Sequence, residues 1–284
     1  MSKINSFRTF LITASAAFIL SGCGNVLELA RGVLYPFQST NKSDVVPATA
    51  PAGWQSVSFK YKAEDGSPVT TEAWYSGAAG WGAPTIVYFH GNGENLESLR
   101  KYNFLNVATQ LKVNFVAIDY PSYGRAVGDT NEYNFVTGGA KAIQWAAQAF
   151  GTEHLFVWGR SLGASVSLLS VVKNQIGLSG LILTSPWTSF YEVALDKTSL
   201  AKQIPADWLA KNAYNTKANA PTVRIPTLIL HGMKDTTIPF KFGEELSRSF
   251  GPAARVKFVP VPNREHNDMF QDALVWQSVY NFTH

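Results

Sequence analysis

Apolar and polar residues alternate over Val57 to Tyr61 and again over Val69 to Tyr75. That period of two belongs to half-buried strands, and the pair predicts an antiparallel hairpin. Beyond it the pattern changes to short, uninterrupted apolar runs: 85–89 (TIVYF), 114–119 (NFVAID), 155–158 (LFVW), 181–184 (LILT), 227–230 (TLIL) and 255–259 (RVKFV). Such runs suit strands covered on both faces. Helical lengths at 95–111, 134–150, 161–173, 241–250 and 268–282 separate them. The order predicts an α/β domain over 54–284, with a mostly parallel central sheet and helices on both faces. No internal repeat is visible. Residues 185–223 break the alternation with Trp187, Phe190, Tyr191, Trp208 and Tyr214 among polar neighbours. They are long enough for a small cap over the carboxyl ends of the strands, where ligands gather. The alternative is a helical excursion whose aromatics belong to the core.

The first residues follow a different logic. Lys3 and Arg8 precede an apolar stretch from Thr9 to Leu20, which is too short for a comfortable membrane span and has the layout of a secretory signal. Leu20-Ser21-Gly22-Cys23 then resembles the bacterial lipobox. The resemblance implies cleavage before Cys23 (signal peptide 1–22) and a diacylglycerol thioether on its sulfur, with a further acyl chain on its amine. Several chains at about 0.8 kcal/mol per buried methylene anchor firmly. An ordinary buried cysteine in a plain signal peptide, or an uncleaved anchor, is the alternative. Gly24, where an aspartate would favour inner-membrane retention, favours the outer membrane if the source is Gram-negative. The expected location is a bacterial cell envelope, lipid-anchored. Val26, Leu27, Leu29, Ala30, Val33 and Leu34 recur at helical spacing and are expected to pack on the domain rather than enter lipid. Residues 38–53, rich in Ser, Thr, Pro, Ala and Asn, read as a tether within the segment 23–53.

Composition narrows the function classes. Hydrophobic residues at 46% and charged residues at 15% exclude a disordered chain. The formal charge of +4 falls to +2 without Lys3 and Arg8, and no Lys/Arg run is present, so no nucleic-acid partner is expected. Cys23 is the single cysteine, which leaves no internal disulfide. The five histidines are dispersed, so no metal is expected.

The strongest chemical signal is Gly159-Arg160-Ser161-Leu162-Gly163, placed after a strand and opening a helical run. That context is the one a nucleophile elbow requires. Ser161 is the candidate nucleophile. A serine hydroxyl needs a base to take its proton, and an imidazole is the best available. His154 lies at the amino end of its strand, His284 is the last residue, and His90 and His231 end apolar strands before glycine. His266, in a loop between the last strand and the last helix, remains. The acid that orients it is expected to be Asp235, after the penultimate strand, which gives the chain order Ser, Asp, His. Asp268 is expected to cap the last helix instead. His90-Gly91-Asn92-Gly93 follows the strand at 85–89, where an oxyanion loop would lie; the expected donors are the amides of Leu162 and Asn92. Those glycines do not read as a phosphate loop, since no Lys-Ser/Thr follows. Tyr120 and Tyr123, in Asp119-Tyr-Pro-Ser-Tyr-Gly124, and Trp187 are expected to line a substrate pocket, with packing in a core as the alternative.

Together His90-Gly-Asn-Gly, Asp119-Tyr-Pro-Ser-Tyr-Gly, Gly159-Arg-Ser-Leu-Gly, His231-Gly-Met-Lys-Asp and Glu265-His266-Asn resemble the α/β-hydrolase superfamily, nearest the serine aminopeptidase-like and depalmitoylase-like acyl hydrolases. The resemblance runs from about Trp54 to the C-terminus. It implies the α/β-hydrolase fold and a serine hydrolase that needs no cofactor, acting on an ester or thioester with a small-molecule or lipid-like acyl group. An amidase or peptidase with the same triad, or an envelope lipoprotein that uses the scaffold only for binding, are the alternatives. Ala164 stands where relatives often have a second glycine, and Arg125-Ala126 where they often have a serine. Oligomeric state is not encoded in these motifs.

Overall fold

The computed structural model describes residues 24–36, 47, 49–151, 153–175 and 177–284. Cys23, the signal sequence at 1–22 and most of the tether at 38–53 lie outside the described residues.

Eight strands form one sheet in the order β1-β2-β4-β3-β5-β6-β7-β8. They are β1 (Gln55–Lys62), β2 (Pro68–Ser76), β3 (Thr85–Phe89), β4 (Asn114–Asp119), β5 (Leu155–Arg160), β6 (Gly180–Thr184), β7 (Thr227–Gly232) and β8 (Lys257–Val261). β1 and β2 pair antiparallel, with Gln55 opposite Tyr75, and β2 meets β4 antiparallel. All pairings from β4 through β8 are parallel. This is the α/β-hydrolase fold expected from the pattern of apolar runs.

Ten α-helices are present among the described residues: α1 (Gly24–Leu34), α2 (Leu96–Lys101), α3 (Phe104–Thr109), α4 (Glu132–Phe150), α5 (Leu162–Lys173), α6 (Phe190–Lys197), α7 (Ala206–Ala210), α8 (Thr216–Asn219), α9 (Phe240–Ser249) and α10 (Ala273–Thr283). The central strands are buried at every position and largely apolar because alternate side chains enter two separate cores. Val87, Phe89, Leu155 and Val157 join the layer under α4 and α5. Ile86, Tyr88, Phe156 and Trp158 point the other way, into an aromatic cluster with Phe104, Phe115, Phe270 and Trp276.

Three elements depart from the sequence pattern. The helix expected over 95–111 is two helices, broken at Asn103 with φ 63°. Asn is one of the few residues that adopts this left-handed conformation readily, and the break turns Phe104 into the aromatic cluster, 4.5 Å from the Tyr88 ring. The last strand begins two residues later than expected, because a 3₁₀ turn at 252–254 ends in Arg255 with φ 41°. The last helix begins at Ala273, and its cap is Asp272, which accepts from the Leu274 amide. Asp268, expected to be that cap, instead accepts from the Glu265 amide and closes the turn that carries His266.

The insertion at 185–223 is a helical excursion between β6 and β7 that contains α6, α7 and α8. Trp187, Phe190 and Tyr214 are buried in the core. The apolar segment at 26–34 packs on the domain, as its spacing suggests: Ala30 and Leu34 are buried on one face of α1, and the Tyr35 hydroxyl meets Asn212 Oδ1 at 2.6 Å and the Tyr214 hydroxyl at 2.8 Å.

Candidate active site

The geometry of the elbow follows from its glycines. Ser161 closes β5 and caps α5 with φ 55° and ψ −121°, a conformation that costs an L-residue on the order of 1–3 kcal/mol. A Cβ at Gly159 would lie 2.2 Å from the Gly163 carbonyl oxygen, and one at Gly163 only 2.1 Å from the Phe89 carbonyl oxygen. No side chain fits at either position while strand, turn and helix stay where they are. The turn lifts the Ser161 hydroxyl to the carboxyl edge of the sheet. Its amide is held by the Thr184 carbonyl at 2.9 Å, while the Leu162 amide lies in the first turn of α5, where the helix supplies no acceptor.

His266 Nε2 is 3.0 Å from Ser161 Oγ, and His266 Nδ1 is 2.7 Å from Asp235 Oδ2. The three residues singled out from the sequence therefore meet in one hydrogen-bonded line. Asp235 Oδ1 accepts the amides of Thr237 at 3.0 Å and Ile238 at 2.8 Å, which fixes the carboxylate plane. Burial works against its charge, but hydrogen bonds from His231 and His266 outweigh this and hold its carboxyl well below the usual range. Burial is also the largest influence on His266, where it disfavours the imidazolium. The Asp235 carboxylate opposes it only in part, so the ring titrates below its ordinary value of 6.5. A neutral imidazole, protonated on Nδ1 toward Asp235 and free to accept at Nε2, is the form required of a base near neutral pH. The loop that carries it is pinned to the Asp235 loop, since Glu265 Oε2 accepts both the amide and the hydroxyl of Thr236 at 3.1 Å.

The His90-Gly-Asn-Gly loop passes directly beside the serine: a Cβ on Gly91 would be 3.6 Å from Ser161 Cβ. Among the described residues no acceptor engages the Asn92 amide, while the Gly91 amide is taken by Glu94 Oε2 at 2.7 Å. Tyr120 and Tyr123 support this loop from below rather than lining an open pocket. Both are wholly buried; the Tyr120 hydroxyl donates to the His90 carbonyl at 2.6 Å, and the Tyr123 hydroxyl to the Asn92 carbonyl at 3.1 Å. Trp187, expected at the pocket, is buried too. Each of these rings removes more apolar area as a core member than a solvated wall would allow.

Arg160, the variable residue of the elbow motif, carries a function that the motif alone does not signal. Its guanidinium is buried and spans three loops. Nη1 pairs with Glu94 Oε1 at 2.8 Å, and Nη2 donates to the His266 carbonyl at 3.0 Å and to Asn267 Oδ1 at 2.9 Å. Glu94 in turn holds Gly91. Burial opposes both charges, yet their proximity keeps Glu94 ionised and Arg160 protonated. One planar fork thus ties the oxyanion loop, the nucleophile elbow and the base loop together. A charged residue between Gly159 and the nucleophile, with Glu94 directly behind the His-Gly-Asn-Gly loop, was the faint signal available in the sequence. Among the described residues no group of three or more His, Cys, Asp or Glu side chains could hold a metal ion.

No protein-family model matches the chain. The lysophosphatidylserine lipase ABHD12 of Danio rerio is 28% identical over 206 residues, covering 66% of this chain and 54% of the relative. Human protein ABHD12B is 26% identical over 227 residues, covering 74% and 63%. The chain spans about half to two thirds of the length of these curated relatives. Among solved structures, the Pyrococcus furiosus esterase Pf2001 superposes with a TM-score of 0.63 at 14% identity, covering 86% of this chain and 97% of the esterase. Sheet order, the strained serine after β5 and these likenesses agree on the α/β-hydrolase fold.

Proposed function

We propose that the chain is a serine esterase that cleaves a carboxylic ester or thioester through an acyl-enzyme. The observation that carries this reading is the unbroken line Ser161–His266–Asp235, with both hydrogen bonds formed. Ser161 Oγ attacks the carbonyl carbon as its proton passes to His266 Nε2, and Asp235 stabilises the imidazolium without taking the proton. The carbonyl oxygen becomes an oxyanion that the Leu162 and Asn92 amides receive. Collapse expels the alcohol or thiol, which takes the proton from His266. Water, deprotonated by the same ring, then releases the acid and restores Ser161. The names of the curated relatives favour a lipid ester over an amide, so the leaving group in this reading is an alcohol on a lipid-like molecule.

Two measurements test it. A fluorophosphonate should label the folded protein at Ser161, located by mass spectrometry, and an ester series should show turnover that depends on acyl length. Folded protein that neither labels nor turns over would end the proposal. The pH profile is a second check. Because the His266 pKa lies below 6.5, kcat/KM should be fully developed at neutral pH and decline on acidification with a midpoint below that value. A midpoint above 6.5 would contradict the buried, partly uncompensated ring.

We also propose that Cys23 carries the lipid anchor and that the enzyme works at the bacterial envelope. The support is the apolar stretch to Leu20 followed by Ser21-Gly22-Cys23, with no second cysteine to compete. Metabolic labelling with palmitate should mark the wild type and vanish in Cys23→Ala; labelling that persists would place the lipid elsewhere.

A further inference from the structure

The helix that follows Cys23 is built into the rim of the active site. α1 starts at Gly24, the residue next to the proposed lipid, and ends against the catalytic loops. The Val33 carbonyl accepts the Asn92 side-chain amide at 2.7 Å, on the same loop that offers the oxyanion donor. Tyr35 reaches Asn212 and Tyr214 in the insertion after β6, and its ring packs edge-on against Phe135 at 5.4 Å. α1 also contacts the 3₁₀ turn at 199–203 in that insertion.

Only one apolar face of α1 is used in this docking. Ala30 and Leu34 are buried, but Leu29 is 43% exposed and Val33 52% exposed, four residues apart on one outward stripe. Leu200, on the neighbouring 3₁₀ turn, is 40% exposed. A rise of 1.5 Å per residue puts Val33 about 13.5 Å from the start of the helix at Gly24. The segment 38–53 comes after this docked helix in the sequence and cannot space the domain away from an anchor that precedes it. An acylated Cys23 would therefore draw the outward stripe, and the mouth beside it, onto the bilayer.

We infer that Leu29, Val33 and Leu200 form a membrane-docking face, and that the site takes its acyl substrate directly from the lipid surface that holds the anchor. α1 joins the residue after the proposed anchor to the Asn92 loop beside Ser161, so a lipid ester would reach the nucleophile from the anchored side without crossing water. The nucleophile and base are only 5% and 6% exposed, which suits a narrow mouth filled from an adjoining apolar phase. The inference rests on the ester-hydrolase reading and on acylation of Cys23.

The test uses the full-length acylated protein in vesicles of phosphatidylethanolamine and phosphatidylglycerol that contain a fluorogenic palmitoyl ester, with water-soluble p-nitrophenyl butyrate assayed in parallel. The double variant Leu29→Asp with Leu200→Asp should lose at least tenfold on the vesicle ester and stay within twofold of wild type on the soluble one. Trp81→Asp, at a still more exposed apolar site near the amino ends of the strands, should leave both rates unchanged. Equal rates for the double variant and wild type on vesicles would overturn the docking face, as would an equal loss from Trp81→Asp. If wild type cleaves neither ester, the hydrolase reading itself has failed. A wild type that cleaves the soluble ester and ignores the vesicle ester overturns only the lipid-surface inference. Because the face argument needs both, a bimane probe at Leu29→Cys should shift to the blue when vesicles are added; an unshifted spectrum is a second refutation.

Discussion

Ser161→Ala is expected to lower kcat/KM for any ester substrate by roughly five to six orders of magnitude, with the melting temperature almost unchanged. The argument has two parts. In a triad acting as a unit, removal of the nucleophile costs nearly as much as removal of all three members, and what survives is the contribution of the oxyanion donors and binding. The side chain itself is small and makes a single side-chain contact of note, the 3.0 Å bond to His266, so folding loses little when it goes. Fluorophosphonate labelling should disappear in the same variant. Asp235→Asn should be the milder companion, about 10⁴-fold, since the ring then loses the partner that sets its tautomer. Substantial turnover by Ser161→Ala would mean that the aligned residues are not the reacting ones.

The second large effect is expected at Arg160, which need not touch the substrate. Arg160→Met leaves Glu94 partly enclosed without the partner that keeps it ionised, and breaking a buried ion pair by removing one member costs about 3–5 kcal/mol. The same change frees the His266 carbonyl and Asn267 from their tie to the elbow. A displacement of about 1 Å at a reacting group is worth roughly a hundredfold in rate, so kcat should fall by that order while KM moves little. Arg160→Lys is not expected to rescue, because one ammonium cannot hold Glu94 and two acceptors on the base loop in one plane. Adding Glu94→Gln to Arg160→Met should recover part of the stability and little of kcat, since the orphaned charge is gone but the loops remain untied. Denaturant unfolding and steady-state kinetics on the same preparations separate the two. Wild-type kcat in Arg160→Met would reduce the network to a structural ion pair.

The two variants mark what the sequence could and could not disclose. Ser161, Asp235 and His266 were legible because each follows a strand that reads clearly as apolar, and because a serine flanked by glycines at a strand-to-helix turn has few other uses. Their spatial meeting then follows from the order of parallel strands. Arg160 was hidden by its surroundings: a charged residue in a variable motif position reads as solvated, and only the folded chain shows Glu94 beside it. Tyr120 and Tyr123 were ambiguous for the same reason. Aromatics after a strand suit a pocket wall and a loop support equally well, and the choice depends on which carbonyls lie beneath, His90 and Asn92 in this case. The break at Asn103 had no periodic signal, since 95–101 and 104–109 are each helical in pattern and one left-handed residue separates them.

The strained backbone at Ser161 has a bearing on how such a chain ages under selection. A residue held at φ 55° and ψ −121° is the kind of position glycine occupies without penalty. Glycine there would relax the elbow and destroy the chemistry in one step. Stability and activity are opposed at this position, so only continued demand for the reaction keeps serine in place. A lineage that retained the scaffold for another purpose would be free to give up the hydroxyl first, and the elbow is where that change of use would be recorded.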